Sequence, residues 1–115
     1  MKKEYRVKKE KEFQKILRAK HSFANRQFVV YVLDKEGQSH FRLGVSVGKK
    51  VGNAVTRNRV KRYIREVFKN IGHTLKQDKD YVVIARMQTA SMDYEQIEKS
   101  LKHVLKRAKV FTERP

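Results

Sequence analysis

Cysteine is absent from this sequence of 115 residues, and acidic residues are scarce, since 12 Asp and Glu stand against 29 Lys and Arg. The lack of cysteine excludes disulfide bonds, thiolate metal sites and cysteine nucleophiles. No apolar run reaches the roughly 18–20 residues that cross a bilayer. No apolar segment of a secretory signal follows the basic first ten residues. We therefore expect a cytoplasmic protein with a single domain over residues 1–115.

The excess of basic residues gives a formal net charge of +17. It is concentrated where acidic residues are missing, because the 29 residues between Glu36 and Glu66 contain no Asp or Glu and eight Lys or Arg. A charge of this size repels itself in the free protein, which indicates a polyanionic partner. Nucleic acid is the first candidate for that partner, and an anionic membrane surface is the second.

Hydrophobic periodicity predicts helices and strands in the order α-β-β-α-β-α, which favours an α/β sandwich. The predicted helices cover residues 9–20, a central segment from the N-cap Asn53 to about Asn70 before Gly72, and a last segment with a capping box of Asp93 and Gln96. The predicted strands cover residues 28–33, 41–48 and 81–85. Asp78 and Asp80 are interpreted as turn residues beside the last strand.

Two of these strands also predict how the sheet is packed. Strand 28–33 is apolar on both faces, so we expect both faces to be covered. Strand 41–48 alternates large apolar residues with the small residues Gly44, Ser46 and Gly48. The small face permits close approach of a backbone, a helix or a ligand.

The central helix separates an apolar face from a basic face. At about 100° per residue, the apolar face consists of Val60, Ile64, Val67, Phe68 and Ile71. The opposite side is a stripe about 16 Å long, made of Asn58, Lys61, Arg62, Arg65 and Lys69. A solvated charged face is the ordinary explanation of such a helix. Because only Glu66 relieves the repulsion here, the pattern favours a polyanion-binding surface. A membrane helix is disfavoured because the core needs the apolar face.

Residues of this helix also carry a family resemblance. The signature Arg-Asn-x-x-Lys-Arg-x-x-Arg, present as Arg57, Asn58, Lys61, Arg62 and Arg65, resembles that of the protein subunit of bacterial ribonuclease P. Phe-Gln-Lys at 13–15, Ala-Asn-Arg-Gln-Phe at 24–28 and Ile-Ala-Arg at 84–86 resemble Bacillus-type members, so the resemblance covers nearly the whole chain. The chain departs from the family at Leu17, where many relatives carry an aromatic residue, and at 87–90, where relatives often have Lys-Pro-Ala.

The resemblance implies a fold and an activity. The fold would be α+β, a mixed four-stranded sheet with helices packed on it, ribosomal-protein-S5-domain-2-like, with a left-handed β-α-β crossover. Its fourth strand would come from the stretch around residues 22–33. The activity would be that of an accessory subunit in an endoribonuclease that removes the 5′ leader from precursor tRNA. The RNA subunit would be the catalyst and would hold Mg²⁺. The partners would be ribonuclease P RNA and precursor tRNA, with neither DNA nor a membrane.

Two RNA-binding surfaces follow from the resemblance. The RNA subunit would bind the central helix and the loop before it, through Lys49, Lys50, Asn53, Arg57, Asn58, Arg59, Lys61, Arg62 and Arg65. The single-stranded leader would lie in a cleft between the first helix and the sheet, lined by Phe13, Leu17, Val29, Tyr31 and Arg86. From the pattern alone, Phe13, Leu17 and Val29 would be core residues. Tyr31 can stack on a base while its hydroxyl group stays in water.

The sequence indicates no catalytic or metal-binding side chains of its own. The four histidines, His21, His40, His73 and His103, lack ligand spacing, so we expect surface or packing roles for them. An unaided nuclease would need such clusters or a carboxylate pair. Two hypotheses stay open: a ribonuclease P protein subunit, and a ribosomal or general structured-RNA-binding module without a cleavage partner.

Overall fold

The computed structural model describes residues 2–112, which form a mixed sheet with helices on its two faces. The helices are α1 (Glu10–Arg18), α2 (Ala54–Ile71) and α3 (Tyr94–Arg107). The strands are β1 (Ser22–Ala24), β2 (Phe28–Asp34), β3 (Arg42–Val47) and β4 (Lys79–Ala85). Short 3₁₀ turns cover Lys3–Tyr5, Lys49–Val51, Gly72–Thr74 and Met87–Ser91. Every helix and strand predicted from periodicity is confirmed, with small shifts at the ends.

The sheet has the order β1-β2-β4-β3. Strand β2 pairs antiparallel with β1 and β4, whereas β3 and β4 are parallel. The four-stranded mixed sheet is therefore confirmed, and its fourth strand is β1, which comes from the stretch around residues 22–33 as expected. Helix α2 connects the parallel strands β3 and β4, which gives the β-α-β crossover. The left hand of that crossover stays a prediction.

The main core lies between one face of the sheet and the helices α2 and α3. Strand β2 contributes Phe28, Val30 and Val32 to this core, and β4 contributes Tyr81 and Val83. The buried residues of α2 are Val60, Ile64, Val67, Phe68 and Ile71, and those of α3 are Ile97, Leu101, Val104 and Leu105. The apolar face predicted for the central helix is therefore confirmed.

The predicted caps fix the ends of α2 and α3. Asn53 accepts a hydrogen bond from the Thr56 amide at 2.9 Å, and Asp93 forms the predicted capping box with Gln96. Helix α2 ends before Gly72, although Gly72 has a φ of −56° that any residue adopts. Glycine is required there by space, because a Cβ would come within 2.5 Å of the ring of Phe41.

The other face of the sheet is covered in part by α1. Tyr31, Val82 and Gly44 form one row across β2, β4 and β3. Phe13 of α1 lies so close to Gly44 that a Cβ there would meet its ring at 2.7 Å, which confirms that the small face admits a helix. The expectation that both faces of strand 28–33 are covered is wrong in part. Since α1 has only nine residues, Val29 and Tyr31 remain half-buried.

Asp80 also differs from its predicted role, because it lies inside β4 and its side chain is 1% exposed. The Arg42 guanidinium donates to both of its carboxylate oxygens, at 3.0 and 2.6 Å, and to Glu12 of α1 at 3.0 Å. The turn interpretation of Asp80 is therefore wrong. Its partners come from segments distant in sequence, which local pattern does not reveal. Among residues 2–112, no helix combines the length and apolar character that spanning a bilayer requires.

Candidate nucleic-acid interface

The outer face of α2 carries the basic stripe predicted from its periodicity. Asn58, Arg62 and Lys69 are exposed, and Lys61 and Arg65 are half-buried. Within residues 2–112, no carboxylate forms an ion pair with a cation of this stripe. The opposite face of the helix is fully packed in the core. The stripe is therefore a row of donors on a helix that the core holds in place, and it is available to an external anion.

Three other predicted residues are held by contacts within the protein. Asn53 caps α2, Arg57 Nε donates to the Gly52 carbonyl at 3.1 Å, and Arg59 Nη2 donates to the Ala90 carbonyl at 2.5 Å. Each arginine has further N–H donors beyond the one used. These contacts fix the shape of the surface around the N-terminus of α2.

The loop before α2 brings two more cations to that end of the helix. Lys49 and Lys50 are both exposed on the Lys49–Val51 turn. The chain then passes through Gly52 at a φ of 157°, where a Cβ would also approach Thr56 at 3.0 Å. Glycine is the residue that accommodates this conformation. The free amides at a helix N-terminus bind anions, and the two lysines stand beside them.

The arginines of the stripe are in distinct environments. The guanidinium of Arg62 lies 5.4 Å from the ring centroid of Tyr63, which restrains an exposed side chain. Burial, together with the nearby charge of Arg6, lowers the pKa of Arg65. Arg6 therefore adds its charge to that of Arg65 at the C-terminal half of α2, and a bound anion would relieve the repulsion between the two arginines.

The residues predicted to line the cleft lie together on the α1 side of the sheet. Phe13, Leu17 and Tyr31 pack around the small buried cluster that includes Ile16. Val29 follows the same face of β2 one step beyond Tyr31. Four of the five predicted cleft residues are half-buried, and the fifth, Arg86, is exposed. The pattern-based interpretation of Phe13, Leu17 and Val29 as core residues is confirmed in part, because Phe13 and Leu17 pack against this buried cluster and Val29 does not belong to it.

Beyond α1, the sheet offers a row that sequence reasoning did not find. Val29, Ile84 and Ser46 are in register across β2, β4 and β3, and we call this row the open strip. Ser46 is exposed, whereas Val29 and Ile84 are half-buried. The sequence features that could have indicated the open strip are the small side chain of Ser46 and the Ile-Ala-Arg segment at 84–86. The open strip gives the cleft an apolar floor beside α1.

A concavity of about 740 Å³ joins the open strip to the basic loop. Its lining includes Ser46, Lys49, Lys50, Ile84, Arg86 and Met87. Arg86 is exposed just after β4, and its amide donates to the Gln27 carbonyl at 2.8 Å. The two predicted RNA surfaces are therefore continuous, because Arg86 and the two lysines border the same concavity.

Two of the histidines make contacts within the protein. His40 Nδ1 lies 2.9 Å from the Phe41 carbonyl oxygen, and His103 Nδ1 lies 3.3 Å from the Asn25 amide nitrogen. No three His, Asp or Glu side chains within residues 2–112 are grouped so that they could hold a metal ion.

Comparison with known proteins identifies the family. The family model described as Ribonuclease P matches residues 1–109. The chain belongs to the ribonuclease P protein family. The ribonuclease P protein component of Listeria welshimeri is 53% identical over 115 residues, which cover 100% of this chain and 97% of that protein. This membership confirms the resemblance and decides against the hypothesis of a general RNA-binding module.

Solved structures of ribonuclease P proteins have the same fold. The Staphylococcus aureus protein is 54% identical with a TM-score of 0.87, and the match covers 93% of this chain and 97% of that one. The Thermotoga maritima protein is 31% identical with a TM-score of 0.80, covering 89% and 96%. This chain therefore shares the fold of its family, and the family membership assigns it a role in tRNA processing.

Proposed function

We propose that this ribonuclease P protein is the accessory subunit of a ribozyme that removes the 5′ leader from precursor tRNA in the cytoplasm. Catalysis would reside in the ribonuclease P RNA, and this chain would bind both that RNA and the leader. The observation that carries the proposal is the continuity of two unlike surfaces. The basic stripe of α2 and the Lys49–Val51 turn lead through one concavity to the open strip.

The basic surface suits a folded RNA. Arginine presents a planar fork of donors that matches phosphate oxygens, and lysine adds a mobile point charge. Arg62, Arg65, Lys61 and the loop lysines would supply these contacts, together with Arg57 and Arg59 through their remaining donors. Asn58 is exposed and uncharged, so it would reach a base edge or a sugar. Asn53 would act by capping α2 and so holding the phosphate-binding end of the helix in place.

The cleft suits a single strand. Unpaired bases bind by stacking on aromatic rings beside cations that follow the backbone. Half-buried Tyr31 offers such a ring, and Val29 continues the apolar floor toward Arg86 at the rim. Phe13 and Leu17 would form the opposite wall on α1. A base-paired segment would not present the base faces that this floor contacts.

The cofactor of the holoenzyme would be Mg²⁺ bound by RNA phosphates. Magnesium prefers oxygen ligands, which include phosphates, and usually keeps several of its waters. When bound by the RNA, Mg²⁺ would supply activation of the nucleophile and stabilisation of the charge that develops in phosphodiester hydrolysis. The contribution of this chain would be cationic: its stripe lowers the repulsion between RNA segments and so favours the fold that collects the metal ions.

The test of the proposal is cleavage of precursor tRNA by the cognate ribonuclease P RNA at low Mg²⁺, with and without this protein. We expect stimulation that is larger for a substrate with a leader of several nucleotides than for one with a single leader nucleotide. Lack of stimulation, or equal stimulation of both substrates, would contradict the proposed function.

Two variants separate the surfaces. Tyr31→Ala should weaken the binding of leader-bearing substrate by about 1–3 kcal/mol and leave binding to the ribonuclease P RNA unchanged. Arg62→Ala should weaken binding to that RNA. It should also lower the salt slope, which is the magnitude of the slope of log K against log salt concentration, by about one. Lys106→Ala, at an exposed position of α3, is a matched control that should change neither substrate binding nor RNA binding. If Tyr31→Ala loses equal affinity for substrates with and without a leader, the assignment of Tyr31 to the leader-binding cleft is wrong.

A further inference from the structure

The N-terminal segment, residues 2–7, is a fixed part of the fold. Its Val7 amide donates to the Leu43 carbonyl at 2.9 Å, and Arg6 forms a parallel bridge with Leu43 at the outer edge of β3. Val7 is buried beneath α1. The segment therefore extends the sheet edge and stands beside the C-terminal half of α2.

An open groove of about 860 Å³ lies between this segment and α2. Its lining includes Lys2, Tyr5, Phe41, Phe68, Lys69 and His73, and none of its lining residues is acidic. We call it the N-terminal groove. Lys69 belongs both to this groove and to the basic stripe, so an RNA that follows α2 reaches the groove directly.

The walls of the N-terminal groove are aromatic. The ring centroid of Tyr5 lies 4.3 Å from that of His40 and 5.4 Å from that of Phe41. These contacts hold the ring of Tyr5 in one position while leaving it half-buried. A fixed and accessible ring is the platform on which an unpaired base stacks.

Arg6 and Arg65 do not line the N-terminal groove, but each is close in the chain to a residue that does. Arg6 follows Tyr5 in the segment, and Arg65 precedes Lys69 by one turn of α2, about 6 Å along the axis. The Arg6 Nε is buried and has no hydrogen-bond partner within the described residues. No carboxylate of residues 2–112 forms an ion pair with either guanidinium. Burial and the charge of Arg6 lower the pKa of Arg65, which agrees with an unneutralised pair.

We propose that the N-terminal groove holds one unpaired nucleotide of the RNA bound along α2, with its base against Tyr5 and its phosphate between Arg6 and Arg65. This inference rests on the proposed function, because the RNA would be the ribonuclease P RNA. A phosphate would accept hydrogen bonds from the outer guanidinium nitrogens of Arg6 and Arg65 and would relieve the repulsion between the two groups. An acidic peptide would meet the charges but would not use the aromatic wall.

A fluorescent reporter tests the groove directly, because the chain contains no tryptophan. The variant Tyr5→Trp places a single indole at the aromatic wall. Titration with the cognate ribonuclease P RNA should quench its emission and reduce its accessibility to acrylamide. Both changes should saturate together with the mobility shift of the RNA. Poly(U) should also quench the indole, whereas poly-glutamate should not.

Loss-of-function variants give a second measurement. Tyr5→Ala should weaken binding to the ribonuclease P RNA about 5- to 100-fold with an unchanged salt slope, whereas Tyr5→Phe should bind normally. Arg6→Gln should lower the slope by about one, and Lys3→Gln in the same segment is its matched control. Thermal unfolding verifies that each variant is folded. If Tyr5→Ala does not fold, the indole measurement decides alone.

The outcomes separate this inference from the proposed function. RNA binding without any change in the indole would overturn the groove while leaving the proposed function intact. Quenching by poly-glutamate and not by RNA would replace the nucleotide with an acidic peptide and overturn the inference. Quenching of the Tyr5→Trp indole by the RNA, together with a wild-type protein that binds the RNA yet fails to stimulate cleavage, would support the groove and contradict the proposed function.

Discussion

Among the eight basic residues between Glu36 and Glu66, we expect Arg42 to stabilise the fold rather than bind RNA. Its guanidinium is 19% exposed and joins Asp80 in β4 to Glu12 in α1. The hydrogen bond with Asp80 raises the pKa of Arg42, and burial opposes this effect. We predict that Arg42→Met lowers the free energy of unfolding and leaves the salt dependence of RNA binding unchanged.

The magnitude follows from what the substitution leaves behind. Asp80 is 1% exposed, and breaking a buried ion pair costs about 3–5 kcal/mol because an uncompensated charge remains. Lys35 at 3.8 Å and the Gln38 amide at 3.2 Å still face the carboxylate, so we expect the lower end, about 3 kcal/mol. For a domain of this size, that corresponds to a decrease of about 12 °C in Tm.

Urea unfolding followed by circular dichroism measures this change, and Arg62→Met is the matched control. Arg62 is exposed, so its substitution should change stability by less than about 0.5 kcal/mol but lower the RNA salt slope by about one. The double variant Arg42→Met with Asp80→Asn should be more stable than Arg42→Met alone, because no charge stays buried and unpaired. A double variant as unstable as the sum of the single changes, or a lower salt slope for Arg42→Met, would refute the reasoning.

Three further predictions concern the packing of α1, a helix cap and acid stability. Gly44→Ala should cost about 1–3 kcal/mol by overpacking against Phe13 and should weaken leader-dependent binding, as measured by thermal unfolding and substrate affinity. Asp93→Ala should cost about 1 kcal/mol in urea unfolding through loss of the capping box of α3. Burial alone would raise the pKa of Glu12, but the hydrogen bond and charge of Arg42 outweigh it and lower that pKa below 4.5. The resulting stability is complete above pH 4.5 and is lost as the pH falls through the folded-state pKa, so Glu12→Gln should flatten the acid limb of the stability profile.

Local pattern predicted those parts of the molecule whose causes are local. The apolar face of α2 recurs at the helical period, and the caps at Asn53 and Asp93 use neighbouring amides. The stripe opposite that face follows from the same geometry. Strand β1 was expected only from the resemblance, because three residues are too few to show a period.

The features that sequence reasoning missed depend on contacts between distant segments. Asp80 has the sequence context of a turn, but its partner Arg42 is 38 residues away. Position 72 after α2 requires glycine because the ring of Phe41, a residue distant in sequence, occupies the space of a side chain. The open strip exists because α1 is too short to cover the sheet, which depends on where the helix packs.

The separation of the two faces of α2 determines how this protein can carry so much unneutralised charge. Val60, Ile64, Val67 and Phe68 are each 0% exposed, and burying each contributes about 1.5–3 kcal/mol. Like charges one turn apart cost only about 0.2–0.5 kcal/mol per pair. Packing therefore holds α2 folded against the repulsion of its stripe before any RNA is bound. An RNA that binds this surface meets donors that are already ordered, so its phosphates gain the relief of that repulsion without the entropy cost of folding the helix.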